Sequence, residues 1–495
     1  MGESAYLKVC VENFGPVRRG EFELKPLTIF IGPNNSGKSY MALLVYAMCR
    51  GLSWRSARSL PHVSKLSDFE RHSEELEEWL NGMYRQIGAG QRELVARDLP
   101  QKTQQTIRKG LKKIASTLRE DVEEALLDYF GCEELDDLIR DPNDGTSLKV
   151  RLNDWNERQP LISFQLEPGK KKSKFASAIH DDVIKFLRIP LAEVSRRFGP
   201  FDPKSPGDSK FFVHQLWLSL WREFLDTNGI PASHGHEAFY LPAARSGILQ
   251  GWPVFASMAL QIVRHRLGLK KIEMPPFRGV AGDFLQVLWE RLLSAPRRGP
   301  SPQVLPALAF LESEVFRGEV SLEGGKSDRP LILYKFGDLA LPLQRASSMV
   351  AELAPLGLWL KYLLRPGSLL IVDEPEAHLH PESQRRIARV LVRLVNAGVR
   401  ILCTTHSSLI LHQVSNHLLA SEADPKRRDG VDFSEHDLLK SDQVGVYLFK
   451  LQQDGTQVDH VPIKAGFGIS EDEFVRVAEA IGDETFRLSS PVRTD

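Results

Sequence analysis

The chain has 495 residues, 42% of them apolar and 26% charged, with 64 Lys plus Arg against 64 Asp plus Glu. That is ordinary globular composition, enough for roughly two to four structural units. The zero formal net charge excludes bulk electrostatics as the main route to nucleic acid or an anionic membrane.

No apolar stretch reaches the roughly 18 residues that a membrane span needs. The N-terminus lacks the basic-then-apolar pattern of a signal peptide. Cys10, Cys49, Cys132 and Cys403 lie far apart with no CxxC pair. This argues against a zinc site or disulfide framework and fits free thiols in a reducing compartment. The expectation is a cytoplasmic protein with no membrane segment.

In chain order, Tyr6 to Val11 is a short β-type run closed by Gly15-Pro16, and Glu21 to Leu24 alternates polar and apolar residues. Leu27 to Ile31 is a continuous apolar run, as expected of a strand buried on both faces. A helix follows from about Lys38 to Cys49. Segments 64–97 and 101–141 are charged and helical in period, 147–153 and 160–166 read as an antiparallel pair, and 181–229 returns to helix. Strand texture resumes at 237 with EAFYLPAAR, then helices run to about 298. EVSLE and PLILYKF are further strands. Ser368 to Val372 is the strongest buried strand, followed by a helix from Glu382 to Ala397 and a second buried strand from Val399 to Thr404. A polar loop, ADPKRRDG, leads to a final strand (VGVYLFKL) and an acidic helix.

Gly32-Pro33-Asn34-Asn35-Ser36-Gly37-Lys38-Ser39 fits GxxxxGK[ST] and sits between a buried strand and a helix, the context this phosphate-binding loop requires. Glycines let backbone N–H groups close on a polyphosphate, and the helix N-terminus favours anions. Lys38 is expected on the β- and γ-phosphates of ATP, and Ser39 on Mg²⁺. Far downstream, the apolar run ends in Asp373-Glu374. A buried strand ending in Asp puts that carboxylate at the sheet edge as a metal ligand, with Glu374 set to polarise water. A second strand ends at His406.

With these three elements the sequence resembles ABC-type ATPase heads, in which such a His contacts the γ-phosphate and the catalytic centre. The segments VENFGPVRRGEFELKPLTIFIGPNNSGKS and IVDEPEAHLHPESQ look like the RecF, SMC and OLD-like branch. The resemblance implies an α/β fold, a mixed sheet with a P-loop and a large, mostly helical insertion. It divides the chain into 1–50 (P-loop part of the head), 51–235 (insertion with a β-hairpin), 236–420 (the rest of the head) and 421–495 (a small C-terminal element). Glu374 and His406 are then catalytic, and Ser39 and Asp373 hold metal. Arg245 in YLPAARSG takes the Q-loop position as a candidate sensor of Mg²⁺ or phosphate. Ser347 and Ser348 take the signature position that reaches across a dimer, with Met349 where the family usually has Gly. His378 and His380 fall at the D-loop as interface residues.

Lys170, Lys171, Lys172 and Lys174 form the densest basic run, read as a solvated hairpin tip or a phosphate-backbone contact. OLD-like proteins carry a metal-dependent nuclease domain after the ATPase, but 407–495 contains no DxD pair. YLPAAR, DEPEAHLHP and the short tail resemble the ATPase subunits of two-component bacterial anti-phage systems such as PARIS and Septu. That likeness implies a homodimer or larger homo-oligomer controlling a separate nuclease or toxin from an adjacent gene, in response to a phage-encoded trigger. The alternative is a RecF/SMC-type repair or recombination ATPase that clamps DNA itself.

Overall fold

The computed structural model describes residues 6–53, 94–95, 101–153, 160–170, 173–177, 187–189, 217, 219–226, 230–231, 237–251, 279–293, 299–324, 330–428, 430–470 and 472–489. Most of the helices expected over 64–97 and 181–229 lie outside these residues, although 219–226 is helical. Lys171 and Lys172 also lie outside them. Among the described residues, no helix is long and apolar enough to cross a membrane.

The protein is a mixed α/β structure built on one eleven-stranded sheet. The N-terminal strands are β1 (Lys8–Phe14), β2 (Val17–Glu23) and β3 (Leu27–Ile31), followed by helix α1 (Lys38–Leu52). Helices α2 (Gln101–Thr117) and α3 (Arg119–Phe130) lead to β4 (Leu148–Asn153), β5 (Pro160–Leu166) and β6 (Lys174–Ser177). Strand β7 (Ala238–Leu241) precedes α4 (Gly279–Val287) and α5 (Leu305–Phe310). A separate three-stranded sheet holds β8 (Glu319–Gly324), β9 (Pro330–Phe336) and β10 (Leu339–Pro342). Then come α6 (Ser348–Tyr362), β11 (Leu369–Asp373), α7 (Pro381–Asn396), β12 (Arg400–Thr404), α8 (Ser408–Glu422) and α9 (Pro425–Arg428). The chain continues through β13 (Val444–Gln452), β14 (Gly455–Val461) and α10 (Asp472–Ser489).

The order across the large sheet is β6-β5-β4-β1-β2-β14-β13-β3-β12-β11-β7. The run β13-β3-β12-β11-β7 is parallel throughout. Parallel strands are covered on both faces, which explains why Leu27–Ile31 and Leu369–Asp373 are buried at every position. Alternation within each strand splits the core in two. Phe30, Leu369, Ile371 and Leu402 pack on the α1 side. Leu27, Ile29, Ile31, Leu370, Val372 and Cys403 pack on the side of α6, α7 and α8.

Two strand placements go beyond local sequence. The antiparallel pair expected at 147–166 is present, and β4 pairs with β1, so it continues the main sheet. The tail strand β13 lies directly beside β3, with Tyr447 opposite Phe30. The polar loop expected at ADPKRRDG contains the one-turn helix α9.

Candidate nucleotide site

The strand order β3-β12-β11 decides where the chemistry gathers. All three strands run the same way, so their carboxyl ends lie side by side. From β3 emerges the P-loop, from β12 emerges Thr405-His406, and β11 ends in Asp373-Glu374.

The loop geometry requires its glycines. Gly32 has φ of 137°, and a Cβ there would sit 2.5 Å from the Phe449 carbonyl oxygen of β13. Gly37 has φ of 90°, and its Cβ would meet Pro16 at 2.8 Å. Asn35 also takes a left-handed φ of 60°, a conformation that Asn tolerates. Pro33, Asn34 and Asn35 are exposed at the tip, while Ser36 is buried. Lys38 is buried, and its Nζ donates to the carbonyls of Gly32 at 3.0 Å and Pro33 at 2.8 Å. Burial pushes its pKa down to about 8, against the opposing pull of Glu374, Asp373 and Glu376.

Ser39 Oγ donates to Asp373 Oδ1 at 2.8 Å, joining the two distant motifs. The Thr404 hydroxyl donates to the same carboxylate oxygen. Asp373 is buried at the strand end. Two hard oxygens from Ser39 and Asp373 suit Mg²⁺, which keeps several waters and takes few protein ligands. Among the described residues, no larger cluster of His, Cys, Asp and Glu gathers for a metal.

Glu374 turns out of the strand with φ of 48°, uncommon for a residue with a side chain. Its N–H donates to the Thr404 hydroxyl at 3.1 Å, and its carboxylate lies 3.7 Å from His406 Nε2. The Glu374 side chain is 38% exposed, so the carboxylate beside His406 is open to water. Burial, and then the positive charge of Lys38, lower the pKa of His406, against the pull of Glu374 and Asp373. His406 is therefore a neutral imidazole near pH 7.

Three supporting residues were not singled out from the sequence. Glu376 Oε1 accepts from the Thr405 hydroxyl at 2.7 Å and from the His406 N–H at 2.6 Å, so it fixes the loop that carries His406. Burial raises its pKa. Thr404 ties Asp373 and Glu374 together. Tyr240, on β7, is buried against the Asp373 carboxylate, and both effects push its phenol well above its ordinary range. The only sequence signal was the second acid in Asp-Glu-Pro-Glu.

The structure places Arg245 beneath the site rather than in it. It is 1% exposed and donates to the carbonyls of Pro242 and Asp373 at 3.0 Å and of Glu374 at 3.3 Å. Its Nε lies 3.0 Å from both the Glu352 carbonyl oxygen and Glu352 Oε1. Ser347 caps α6, accepting from the Val350 N–H at 3.4 Å, and Ser347 and Ser348 are both exposed. Among the described residues no hydrogen bond links them to the P-loop of the same chain. His380 caps α7, and Met349 Sδ accepts from Ser383 at 3.3 Å.

Residues 281–412, from α4 through the start of α8, match the family described as "AAA domain, putative AbiEii toxin, Type IV TA system". Over 94 residues the chain is 35% identical to the Nod factor export ATP-binding protein I of Cupriavidus metallidurans. That match spans 18% of this chain and only 30% of the relative's length. Among solved structures, the chain is similar to an Smc head bound to the C-winged helix domain of ScpA, at 11% identity and a TM-score of 0.39, covering 92% of this chain and 98% of that one. It is likewise similar to the SMC head domain from Thermotoga maritima, at 11% identity and a TM-score of 0.32, with the same coverage. The site and the family match define a P-loop ATPase domain of ABC/AAA type.

Proposed function

We propose that this protein binds and hydrolyses ATP as the sensor and scaffold subunit of a bacterial anti-phage system, controlling a separate nuclease or toxin. The observation that carries the ATPase reading is the Ser39–Asp373 hydrogen bond, with Glu374 and His406 beside it. Mg²⁺ bound there would neutralise charge on the ATP phosphates. The P-loop N–H groups bind and orient those phosphates, and Lys38 exchanges its loop carbonyls for phosphate oxygens. Glu374 accepts a proton from water, and neutral His406 donates a hydrogen bond toward the transferred group. Glu376 and Thr404 keep the two groups in register.

The defence reading is supported by the matched family's description, which names an AbiEii toxin and a type IV toxin–antitoxin system. The insertion at 51–235 and the tail after 420 are the proposed docking surfaces for partner and trigger. Helix α10 supports this for the tail: it leaves Val477 59%, Ile481 58% and Leu488 88% exposed, four and seven residues apart on one stripe. The test has two parts. The purified chain should hydrolyse ATP with Mg²⁺ yet cleave neither DNA nor RNA. It should co-purify with the product of an adjacent gene, and Lys38→Ala should release control of that partner. Metal-dependent nucleic-acid cleavage by this chain alone would sink the reading.

A further inference from the structure

A cavity of about 460 Å³ lies among α7, α8 and α9, and none of its lining residues belongs to the nucleotide site. Helix α7 contributes Arg385, Arg386 and Arg389, and α9 contributes Arg427 and Arg428. These charges are not equally free. Arg389 is held by Asp437 at 2.8 Å and Asp432 at 3.2 Å. Arg385 and Arg386 share the single carboxylate of Glu382, each at 3.0 Å. Among the described residues no carboxylate lies within ion-pair reach of Arg427 or Arg428. The Arg428 Nε is shielded from solvent and, among the described residues, has no hydrogen-bond partner. A shielded guanidinium nitrogen without an acceptor is costly, and an anion in the cavity would relieve that cost.

The chemistry of the walls narrows the anion. Planar guanidinium forks match phosphate oxygens in pairs, and arginines from two helices suit adjacent phosphate groups. The aromatic faces are already occupied. Arg389 lies 4.8 Å over Phe310 and 5.4 Å over Phe433, and His417 stacks on Phe433. No open ring remains among the lining residues to stack a base. The volume falls in the usual range for small-molecule sites. We propose that this cavity binds a small anion carrying adjacent phosphate groups, held by Arg427 and Arg428 of α9 against Arg385 and Arg386 of α7.

The probe is inorganic tripolyphosphate, titrated calorimetrically into the full-length chain carrying Lys38→Ala, which disables the P-loop as a competing phosphate site. One saturable site is expected, weakening as salt rises. The pair R427A/R428A should raise its Kd at least about tenfold through the lost charge-assisted contacts, and Arg427→Ala alone should raise it by a smaller factor. Melting temperature should not fall, because neither side chain is held by an ion pair and the shielded Arg428 Nε is removed with its cost. Absence of saturable binding, or an isotherm unchanged by R427A/R428A, overturns the proposal. A short single-stranded oligonucleotide is the second arm. If it binds more tightly than tripolyphosphate and is displaced by the same substitutions, the site is a nucleic-acid contact and the small-anion assignment fails.

Discussion

Arg245 and Glu352 form an ion pair sealed from solvent, the first 1% and the second 0% exposed, and the arginine also holds the backbone carbonyls of Asp373 and Glu374. Glu352 lies in α6, the helix that begins at Ser347–Ser348. The pair therefore links α6 to the turn that carries Asp373 and Glu374. The left-handed φ of Glu374 is sustained by Arg245 at its carbonyl and Thr404 at its N–H.

Removing one partner strands the other charge in the core. Glu352→Ala should cost about 3–5 kcal/mol of stability. The double change Arg245→Met with Glu352→Leu removes both charges and should melt close to the wild type. It should still hydrolyse ATP about tenfold more slowly, because the Asp373 and Glu374 carbonyls lose their donors. Denaturant unfolding and steady-state turnover on the same samples separate the two effects. Wild-type turnover in the double variant would show that the pair serves stability alone.

Lys38 gives a pH signature. Its pKa in the free protein is about 8. ATP replaces carbonyl neighbours with phosphate charge, so the pKa rises on binding. A group whose pKa rises on binding strengthens binding below its free value and weakens it above. ATP affinity should thus be level below about pH 8 and fall about tenfold per pH unit above it, until the bound-state pKa is reached. Fluorescent-nucleotide titrations from pH 7 to 10 would show this, and a flat profile would contradict it. Lys38→Ala should abolish binding at every pH.

Glu374→Gln keeps size and backbone but loses the proton acceptor. ATP affinity should be retained, because Ser39 and Asp373 still meet at 2.8 Å. Turnover should fall about 10²–10⁴-fold, the usual contribution of a general base. Turnover at the wild-type rate would show that Glu374 is not the base.

Much of the site was legible because its parts are local. The P-loop spacing, the apolar run ending in Asp373-Glu374 and the strand ending in His406 each announce themselves within a dozen residues. Their convergence follows from parallel strands with a shared polarity. What escaped depends on contacts between distant segments. Arg245 occupies the expected stretch of chain, yet its guanidinium is taken up by Glu352 and by carbonyls, a pairing with no periodic signal. Glu376 reads as one more acid in an acidic turn until the His406 N–H is seen on it. The pairing of β4 with β1, and of β13 with β3, is set by register across long separations that alternation cannot specify.

The last prediction concerns assembly. Ser347 and Ser348 stand exposed at the N-terminus of α6, and among the described residues no hydrogen bond links them to the P-loop of their own chain. A helix N-terminus of this kind presents N–H groups and a favourable dipole to an anion. In the homodimer that the sequence resemblance implies, that anion would be the γ-phosphate bound to the other protomer. Met349 packs its sulfur on Ser383 of α7, so the first turn of α6 is braced against the helix that follows the D-loop. Glu374→Gln with ATP and Mg²⁺ should trap the dimer, which sedimentation velocity would detect. Ser348→Arg introduces bulk at this surface without touching the P-loop. It should leave ATP binding intact, weaken dimerisation at least about tenfold, and lower turnover in proportion. A chain that stays monomeric under trapping conditions while hydrolysing ATP at full rate would eliminate the shared-site arrangement.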